Sequence, residues 1–140
     1  MNDFGHRLIN RFHRGLLAVT GGRLGSRFGS MPVVELHTIG RTSGERRSAM
    51  LTAPVREDGR YVLVASKGGD PRHPSWYVNL VANPDVELTV DGRTVPMRAH
   101  TATPTERAEL WPRITRAYPG YAGYQRKTTR QIPVVICEPR

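Results

Sequence analysis

Three short segments of this 140-residue chain carry the side chains that could do chemistry, and each is rich in cations or hydroxyls. The first, residues 40–47, combines two glycines and two hydroxyls with three guanidiniums. Arginine offers paired donors to a phosphate and does not lose its charge. The segment therefore predicts a phosphate site, and a solvated basic turn is the alternative interpretation. The candidate ligands are Arg41, Ser43, Gly44, Arg46 and Arg47.

The second segment, residues 66–86, follows a predicted strand and begins with a glycine-containing loop. Such a loop at the start of a helix presents backbone N–H groups to an anion. On the helix, Trp76 and Asn79 share a face because they are three residues apart. A flat ring beside an amide suits a planar heterocycle with a polar edge; alternatively, Trp76 belongs to the core and Asn79 is merely exposed. The loop adds cationic or proton-donating side chains: Lys67, Arg72 and His73.

The third segment, residues 118–124, places three tyrosines at steps of three: Tyr118, Tyr121 and Tyr124. Their rings can line one wall of a pocket, and their hydroxyls can donate hydrogen bonds. The alternative interpretation is three half-buried core tyrosines. Taken together, the three segments set cation or hydroxyl donors beside flat aromatic surface.

The elements that must position these segments are mostly strands. Runs of β-branched and apolar residues predict six of them, at residues 33–39, 48–56, 60–66, 86–90, 94–101 and 131–137. Two Asp-Gly pairs, at residues 58–59 and 91–92, predict hairpin turns. A capping box from Thr103 to Glu106 opens a helix that Pro112 is expected to shorten or kink. The pattern predicts a mostly β fold with flanking helices, a six-stranded, mainly antiparallel closed barrel.

Residues 1–30 are organised differently from residues 31–140, which form the predicted barrel domain. Apolar residues recur at helical spacing: Phe4, Leu8, Phe12, Leu16 and Val19. The arginines fall mostly elsewhere, so a basic amphipathic helix and a linker are predicted here. Two roles stay open for this helix, packing on the barrel or lying on an anionic membrane surface.

The formal charge of +9 needs an explanation, and the candidate partners are nucleic acid, an anionic membrane surface and a multiply anionic small ligand. No recognised nucleic-acid motif occurs and aromatic residues make up only 7% of the chain, so no nucleic-acid partner is expected. The single Cys137 excludes an internal disulfide. With no apolar leader and no membrane-length run, a cytoplasmic protein is expected, with the basic helix as its route to the inner face of the membrane.

Motifs for hydrolysis, nucleotide binding and metal ligation are missing from the sequence. The five histidines lack metal-ligand spacing, so no metal site is expected, and there is no nucleophile elbow or Walker loop. The chain is therefore interpreted as a cofactor holder, in which the cofactor carries the chemistry and the protein supplies position and electrostatics.

A set of motifs in fixed order extends this interpretation. They are Gly40-Arg-Thr-Ser-Gly44 with Arg47, Val64-Ala-Ser-Lys-Gly-Gly69, Pro74-x-Trp76, Asn79-Leu80, Ala82-Asn-Pro-x-Val86, Tyr118-Pro-x-Tyr-x-x-Tyr124 and Arg130-x-Ile-Pro-Val-Val135. Over about residues 33–137 the chain resembles the deazaflavin-dependent nitroreductase family of actinobacteria. The resemblance implies a split β-barrel that binds coenzyme F420, a planar and polyanionic deazaflavin. It also implies hydride transfer to quinones, nitroaromatics or activated enones.

The resemblance assigns roles residue by residue. Cofactor contacts fall to Arg41, Ser43, Gly44, Arg47, Ser66, Lys67, Gly68, Trp76 and Asn79. The three tyrosines line the acceptor pocket, and Ser66 or a tyrosine hydroxyl stabilises the developing anion or relays a proton.

Two positions depart from the family pattern. Thr42 stands where the family often has lysine, with Arg46 as the substitute cation, and Met50 stands where it often has proline. Barrels of this kind often pair, so a homodimer is one expectation. An FMN-binding barrel of the same architecture and a non-enzymatic basic module stay open as alternatives.

Overall fold

The computed structural model describes residues 27–28 and 31–140, so the predicted amphipathic helix lies outside the described residues. Eight strands occur in the described part: β1 (Arg27–Phe28), β2 (Met31–Ile39), β3 (Arg46–Thr52), β4 (Val55–Glu57), β5 (Arg60–Val64), β6 (Asp85–Val90), β7 (Arg93–Thr101) and β8 (Val134–Pro139). Three α-helices accompany them: α1 (Ser75–Ala82), α2 (Pro104–Ala117) and α3 (Gly120–Lys127). A short 3₁₀ turn covers Lys67–Gly69.

The strands form one curled sheet in which each pairing is antiparallel. From β3 the hydrogen-bonded order runs through β2, β6, β7, β8 and β5 to β4, and β1 also pairs with β2. The two ends of this path, β3 and β4, are consecutive along the chain and are separated only by Ala53 and Pro54. The curled antiparallel sheet confirms the predicted mostly β, mainly antiparallel fold, in the form of a half-barrel whose two end strands are joined by this short connection.

The number of strands differs from the predicted six. The predicted strand at 48–56 is two strands, because Pro54 has no N–H to give to a ladder and interrupts the pairing. The pair Arg27–Phe28 adds a short strand beside β2 that the sequence did not reveal. Both predicted hairpin turns are present: Asp58 and Gly59 have φ of 54° and 75°, and Asp91 and Gly92 have φ of 50° and 79°. Two consecutive positive φ angles match the twist of antiparallel strands.

The core has two parts because side chains on a strand alternate between its faces. Inside the barrel, Leu63 and Val135 pack with Trp76 and Leu80 of α1. Outside it, Val62 and its neighbours pack against the helices α2 and α3. The strands β5 and β8 therefore bury both faces and hold the helices that carry the candidate site.

Both long helical segments differ in detail from expectation. The capping box of α2 is formed, with Thr103 Oγ1 accepting from the Glu106 N–H at 3.2 Å and Glu106 Oε1 accepting from the Thr103 N–H at 2.8 Å. The helix continues past Pro112 to Ala117, so the proline does not end it. The sequence pattern predicts no helix in the third segment, but most of it is the helix α3, which begins directly after Pro119.

Candidate functional site

The first candidate segment, residues 40–47, is a closed turn between β2 and β3. The Gly40 N–H donates to the Glu45 carbonyl at 2.8 Å, and the Gly44 N–H donates to the Gly40 carbonyl at 2.9 Å. Gly44 adopts φ of 72°, a conformation that favours glycine. The hydroxyl of Ser43 accepts from the Glu45 N–H at 3.1 Å and from Arg47 Nη2 at 3.4 Å. Ser43 therefore shapes the turn.

Strand alternation sorts the arginines of this turn onto two sides. Arg47 pairs with Thr38, which is buried on the barrel side, and Arg46 pairs with Ile39, which points outward. Arg46 Nη1 donates to Glu87 Oε1 at 2.6 Å on that outer side. This contact does not support the predicted role of Arg46 as a substitute cation at the phosphate site.

Asn79 on α1 joins the helix to the turn. Its Oδ1 accepts from the Arg41 N–H at 3.1 Å and from Arg41 Nη1 at 2.8 Å, and its Nδ2 donates to Thr38 Oγ1 at 3.3 Å. The side chain is buried, with 4% of its surface exposed, so the interpretation of Asn79 as merely exposed is wrong. A buried amide with both ends hydrogen-bonded has one orientation, which fixes the position of Arg41.

Trp76 lies inside the barrel. Its side chain is 8% exposed and packs in the interior cluster, and the ring of Tyr77 meets it edge-on at 6.4 Å between centroids. The core interpretation of Trp76 is confirmed by this burial. A contact between its ring and a planar ligand stays a prediction.

The second candidate segment forms a loop with unusual backbone geometry. Lys67, Gly68 and Gly69 have φ of 45°, 62° and 86°, three left-handed residues in a row. The lysine carries a Cβ in a conformation that costs about 1–2 kcal/mol, so other contacts must hold the loop. Ser66, just before them, is buried.

Arg130 supplies those contacts, and the sequence interpretation missed this role. Its guanidinium donates to the carbonyls of Ala65 at 3.2 Å, Ser66 at 2.8 Å and Asp70 at 2.8 Å, and to His73 Nδ1 at 3.1 Å. The planar guanidinium group of Arg130 therefore bridges both ends of the loop. The sequence signal was limited to an arginine ahead of the Ile-Pro pair, because its partners lie 57 to 65 residues away.

Gly69 brings the second and third segments together. A Cβ at this position would lie 2.8 Å from the Tyr124 carbonyl oxygen and 2.9 Å from Lys127 Cβ. The helix α3 therefore packs directly on the loop at a distance that only glycine allows.

The three tyrosines form one cluster. The ring of Tyr121 lies 5.2 Å from that of Tyr118 and 6.2 Å from that of Tyr124, and the latter two are 6.4 Å apart, between centroids. Tyr121 is buried, and its hydroxyl shares a 2.8 Å hydrogen bond with Thr52 Oγ1. Burial raises the pKa of Tyr121, and a hydrogen bond with Tyr118 followed by burial raises the pKa of Tyr124. Both hydroxyls are therefore protonated at neutral pH.

The arrangement links all three predicted segments through α1 and the loop before it. The turn at 40–47 joins α1 through Asn79, and the tyrosine helix joins the loop through Gly69. Arg41 and Arg47 are exposed and Lys67 is half-buried, and Arg47 Nη2 also lies 3.4 Å from the exposed carboxylate of Glu45. Within residues 27–28 and 31–140, no group of three His, Cys, Asp or Glu side chains is placed to hold a metal. No helix of the described part is long and apolar enough to span a membrane.

Two solved structures share this fold at high sequence identity. One, titled a domain-swapped dimer, is 41% identical, covers 91% of this chain and 96% of its own, and superimposes with a TM-score of 0.71. The other, titled an F420-H2 dependent reductase, is 46% identical, covers 76% of this chain and 94% of its own, and has a TM-score of 0.69. Fold and site together define a deazaflavin-dependent oxidoreductase, as the resemblance predicted.

Sequence comparison is more specific. The sequence model of the F420H(2)-dependent quinone reductase family matches residues 9–139. An F420H(2)-dependent quinone reductase of Mycobacterium tuberculosis is 41% identical over 130 residues, which cover 90% of this chain and 87% of the relative. The chain belongs to the F420H(2)-dependent quinone reductase family. Membership implies coenzyme F420, and the comparisons do not support the FMN alternative.

Proposed function

We propose that this chain transfers a hydride from reduced coenzyme F420 to a quinone. Family membership supports the reaction class. The observation that carries the proposal for this chain is the pair of hydrogen bonds from Arg41 to Asn79. They fix an exposed guanidinium beside the helix that follows the Lys67 loop, where an anionic cofactor needs its charge neutralised.

The residues present fit a planar, polyanionic ligand. The donors on the barrel side of the first turn are guanidiniums, which keep their charge and bind phosphate oxygens in pairs. Lys67 adds a compact positive charge in the neighbouring loop. The backbone of this loop contains three consecutive residues in the left-handed conformation. Arg41, Arg47 and Lys67 would hold the anionic part of the cofactor, and Ser66 would lie beside them. When bound, the cofactor supplies the hydride.

The tyrosine cluster would line the acceptor pocket and donate the proton. Tyr121 is tied to Thr52 and buried, so its ring forms a fixed wall. Tyr118 and Tyr124 are only half-buried, and the raised pKa of Tyr124 keeps its hydroxyl protonated. We assign Tyr124, with Tyr118 beside it, as the donor that meets the oxygen of the reduced acceptor. A positioned donor of this kind contributes roughly 100-fold or more to the rate.

Quinones are the first acceptors to assay because they present two carbonyl oxygens to such a donor. Nitroaromatics and activated enones also accept a hydride and then need a proton on a neighbouring atom. They belong to the same proposal as secondary acceptors.

The first experiment compares cofactors. The purified protein is titrated with oxidised F420 and, in parallel, with FMN, with fluorescence as the readout. Tight F420 binding and weak FMN binding support the proposal, and preference for FMN or binding of neither contradicts it. The rate of F420H2 oxidation is then measured with a soluble quinone, a nitroaromatic and an enone. A rate with the quinone that does not exceed the rate in buffer alone would refute the quinone reductase activity.

A pair of variants tests which side of the turn binds the cofactor. Arg47→Gln is expected to weaken F420 binding about tenfold, since a charged hydrogen bond is worth about 1.5–3 kcal/mol. Arg46→Gln removes the neighbouring guanidinium on the outer side and is expected to change binding less than about twofold. Equal losses in both variants would show that the turn binds the cofactor differently.

Assembly and location are part of the proposal. One relative is a domain-swapped dimer, and we propose that this chain also forms a homodimer, which light scattering of the purified protein tests. A cytoplasmic location suits a reductase that uses a soluble cofactor as its hydride donor. Membrane contact through the N-terminal segment stays a prediction, and sedimentation with anionic liposomes before and after deletion of residues 1–29 decides it.

A further inference from the structure

His73 lies where the strained loop meets α1. It follows Asp70 and Arg72 and precedes Pro74, the residue that caps the helix. His73 is exposed, and its ring packs against that of Tyr77 with 5.0 Å between centroids and a 57° tilt. The imidazole therefore stands between the Lys67 loop and the helix that carries Asn79.

The hydrogen bond from Arg130 decides which nitrogen of this ring carries the proton. A guanidinium has five N–H donors and no acceptor. Arg130 Nη1 lies 3.1 Å from His73 Nδ1, so Nδ1 must accept that hydrogen bond through its lone pair. A neutral imidazole with Nδ1 as acceptor carries its proton on Nε2.

The charges around the ring also favour the neutral form. A proton on Nδ1 would point at the Arg130 guanidinium and lose the hydrogen bond. Although the residue is exposed, partial desolvation of the ring first and the charge of Arg130 second lower the pKa of His73. The carboxylate nearest in sequence, Asp70, is engaged by the backbone N–H of Arg72 at 2.8 Å and by its Nε at 3.4 Å. Lys67 and Arg72 add further positive charge to the loop.

We propose that Arg130 is a positioning residue that fixes His73 as the neutral Nε2–H tautomer, so that this N–H donates to an oxygen of the bound cofactor. The same guanidinium holds the carbonyls of Ala65, Ser66 and Asp70, so one side chain sets both the loop and the imidazole donor. The proposal rests on the proposed function for the identity of the ligand. The tautomer itself is a property of the protein alone.

The tautomer is measured on the full-length wild-type protein without cofactor. Long-range ¹⁵N–¹H spectra of the histidine rings show which nitrogen is protonated, and the signal absent from His73→Asn gives the assignment. A protonated Nε2 and an unprotonated Nδ1 are expected at neutral pH. A protonated Nδ1 would overturn the proposal without any variant.

The role of Arg130 is tested by two substitutions. Arg130→Lys keeps a charge but cannot reach three carbonyls and the ring together, and Arg130→Met removes the donor. Both are expected to shift His73 toward a mixture of tautomers, while His100, which contacts Glu106 Oε1 at 3.3 Å, keeps its spectrum. If Arg130→Met fails to fold, Arg130→Lys carries the comparison, and an unchanged His73 spectrum in a folded variant would contradict the proposal.

The ligand contact is tested by F420 titration of three variants. His73→Asn places an acceptor near the position of Nδ1 and loses the Nε2–H, so it is expected to keep the loop but weaken binding about tenfold. His73→Gln can place an amide N–H near Nε2 and is expected to recover most of the affinity. His100→Asn is the matched control. Wild-type affinity in His73→Asn would refute the contact, and no F420 binding by the wild type would refute the proposed function while the tautomer result stood.

Discussion

The amide oxygen of Asn79 accepts two hydrogen bonds from Arg41, one from its backbone N–H at 3.1 Å and one from its guanidinium at 2.8 Å. These residues are 38 positions apart in the chain and belong to a helix and a turn. The buried amide therefore fixes both the path of the turn and the direction of its first arginine. The candidate phosphate site is in this way built on α1, which is itself anchored in the barrel by Trp76 and Leu80.

The first prediction concerns this link. Asn79→Ala removes the acceptor for Arg41 and is expected to weaken F420 binding about 10- to 100-fold, because a hydrogen bond to a charged group is worth about 1.5–3 kcal/mol. Asn83→Ala is the matched control, since Asn83 is exposed near the end of the same helix and accepts from the Asp85 N–H at 3.3 Å. Calorimetric titration of both variants checks the prediction. Equal affinities would show that Asn79 does not position the turn.

The second prediction uses two adjacent glycines. Gly68 and Gly69 both have positive φ, but only Gly69 faces the backbone of α3. Gly68→Ala is expected to lower the free energy of unfolding by about 1–2 kcal/mol, the cost of a left-handed alanine. Gly69→Ala is expected to cost a further 1–3 kcal/mol or so, because the new methyl overlaps Tyr124 and Lys127. Urea denaturation measures both, and equal costs would contradict the close packing of α3 on the loop.

The barrel was predictable from the sequence, and several contacts of the site were not. Strand periodicity and the two Asp-Gly turns were enough for the fold, since these signals are local. The alternative interpretation of Asn79 as merely exposed stayed open because its partners Thr38 and Arg41 are distant in sequence. The hydrogen bonds from Arg130 to the loop carbonyls could not be predicted for the same reason. Local patterns give candidate donors, whereas the three-dimensional fold decides which of them face the site.

Arg46 shows a second limit of local sequence patterns. It is predicted as a phosphate ligand because it is one of three arginines within residues 40–47. The strand β3 begins at Arg46, so alternation turns its side chain away from that of Arg47. The start of a strand is among the least certain features of a sequence pattern, and a shift of one residue exchanges the two faces.

The third prediction compares two tyrosine–threonine pairs. The hydroxyls of Tyr121 and Thr52 share a 2.8 Å hydrogen bond in a partly buried place, and those of Tyr77 and Thr101 share one of 2.8 Å in an exposed place. Tyr121→Phe is expected to lower the free energy of unfolding by about 1–3 kcal/mol, because Thr52 loses its partner away from water. Tyr77→Phe is expected to cost less than about 0.5 kcal/mol, because water replaces the lost hydroxyl. Similar values for the two variants would contradict the difference in burial.

The fourth prediction concerns Cys137, which lies inside the barrel on β8. Its surface is fully buried, and burial raises the pKa of its thiol to about 12. The thiolate is the reactive form, so the native protein is expected not to react with a thiol reagent at pH 8, and one thiol is expected to react after unfolding. With a reagent that releases a coloured product when it reacts with a thiol, absorbance measures the reaction of the native and of the unfolded protein. Rapid reaction of the native protein would show that the barrel interior opens.

The fifth prediction concerns Glu57 on β4, which binds two arginines. Arg113 of α2 donates to both carboxylate oxygens, at 3.0 and 2.9 Å, and Arg60 donates to one of them at 3.0 Å. The hydrogen bonds from Arg113 first and Arg60 second lower the pKa of Glu57 from 4.5 to about 2. Because the folded-state pKa is depressed, the stabilisation is complete above the unfolded pKa and is lost as the pH falls from about 4.5 to about 2.

Glu57→Gln removes this charge and is expected to lower the thermal unfolding midpoint at pH 7. The difference from wild type should shrink steadily below about pH 4.5 and become small near pH 2, where about half of the wild-type carboxylates are neutral. Glu109→Gln on the exposed side of α2 is the control for a change in net charge, and it is expected to give a smaller difference at pH 7. Thermal denaturation followed by circular dichroism across this pH range measures all three proteins. A Glu57→Gln difference that stayed constant down to pH 2.5 or so would mean that packing of the side chain, not its charge, joins β4 to α2.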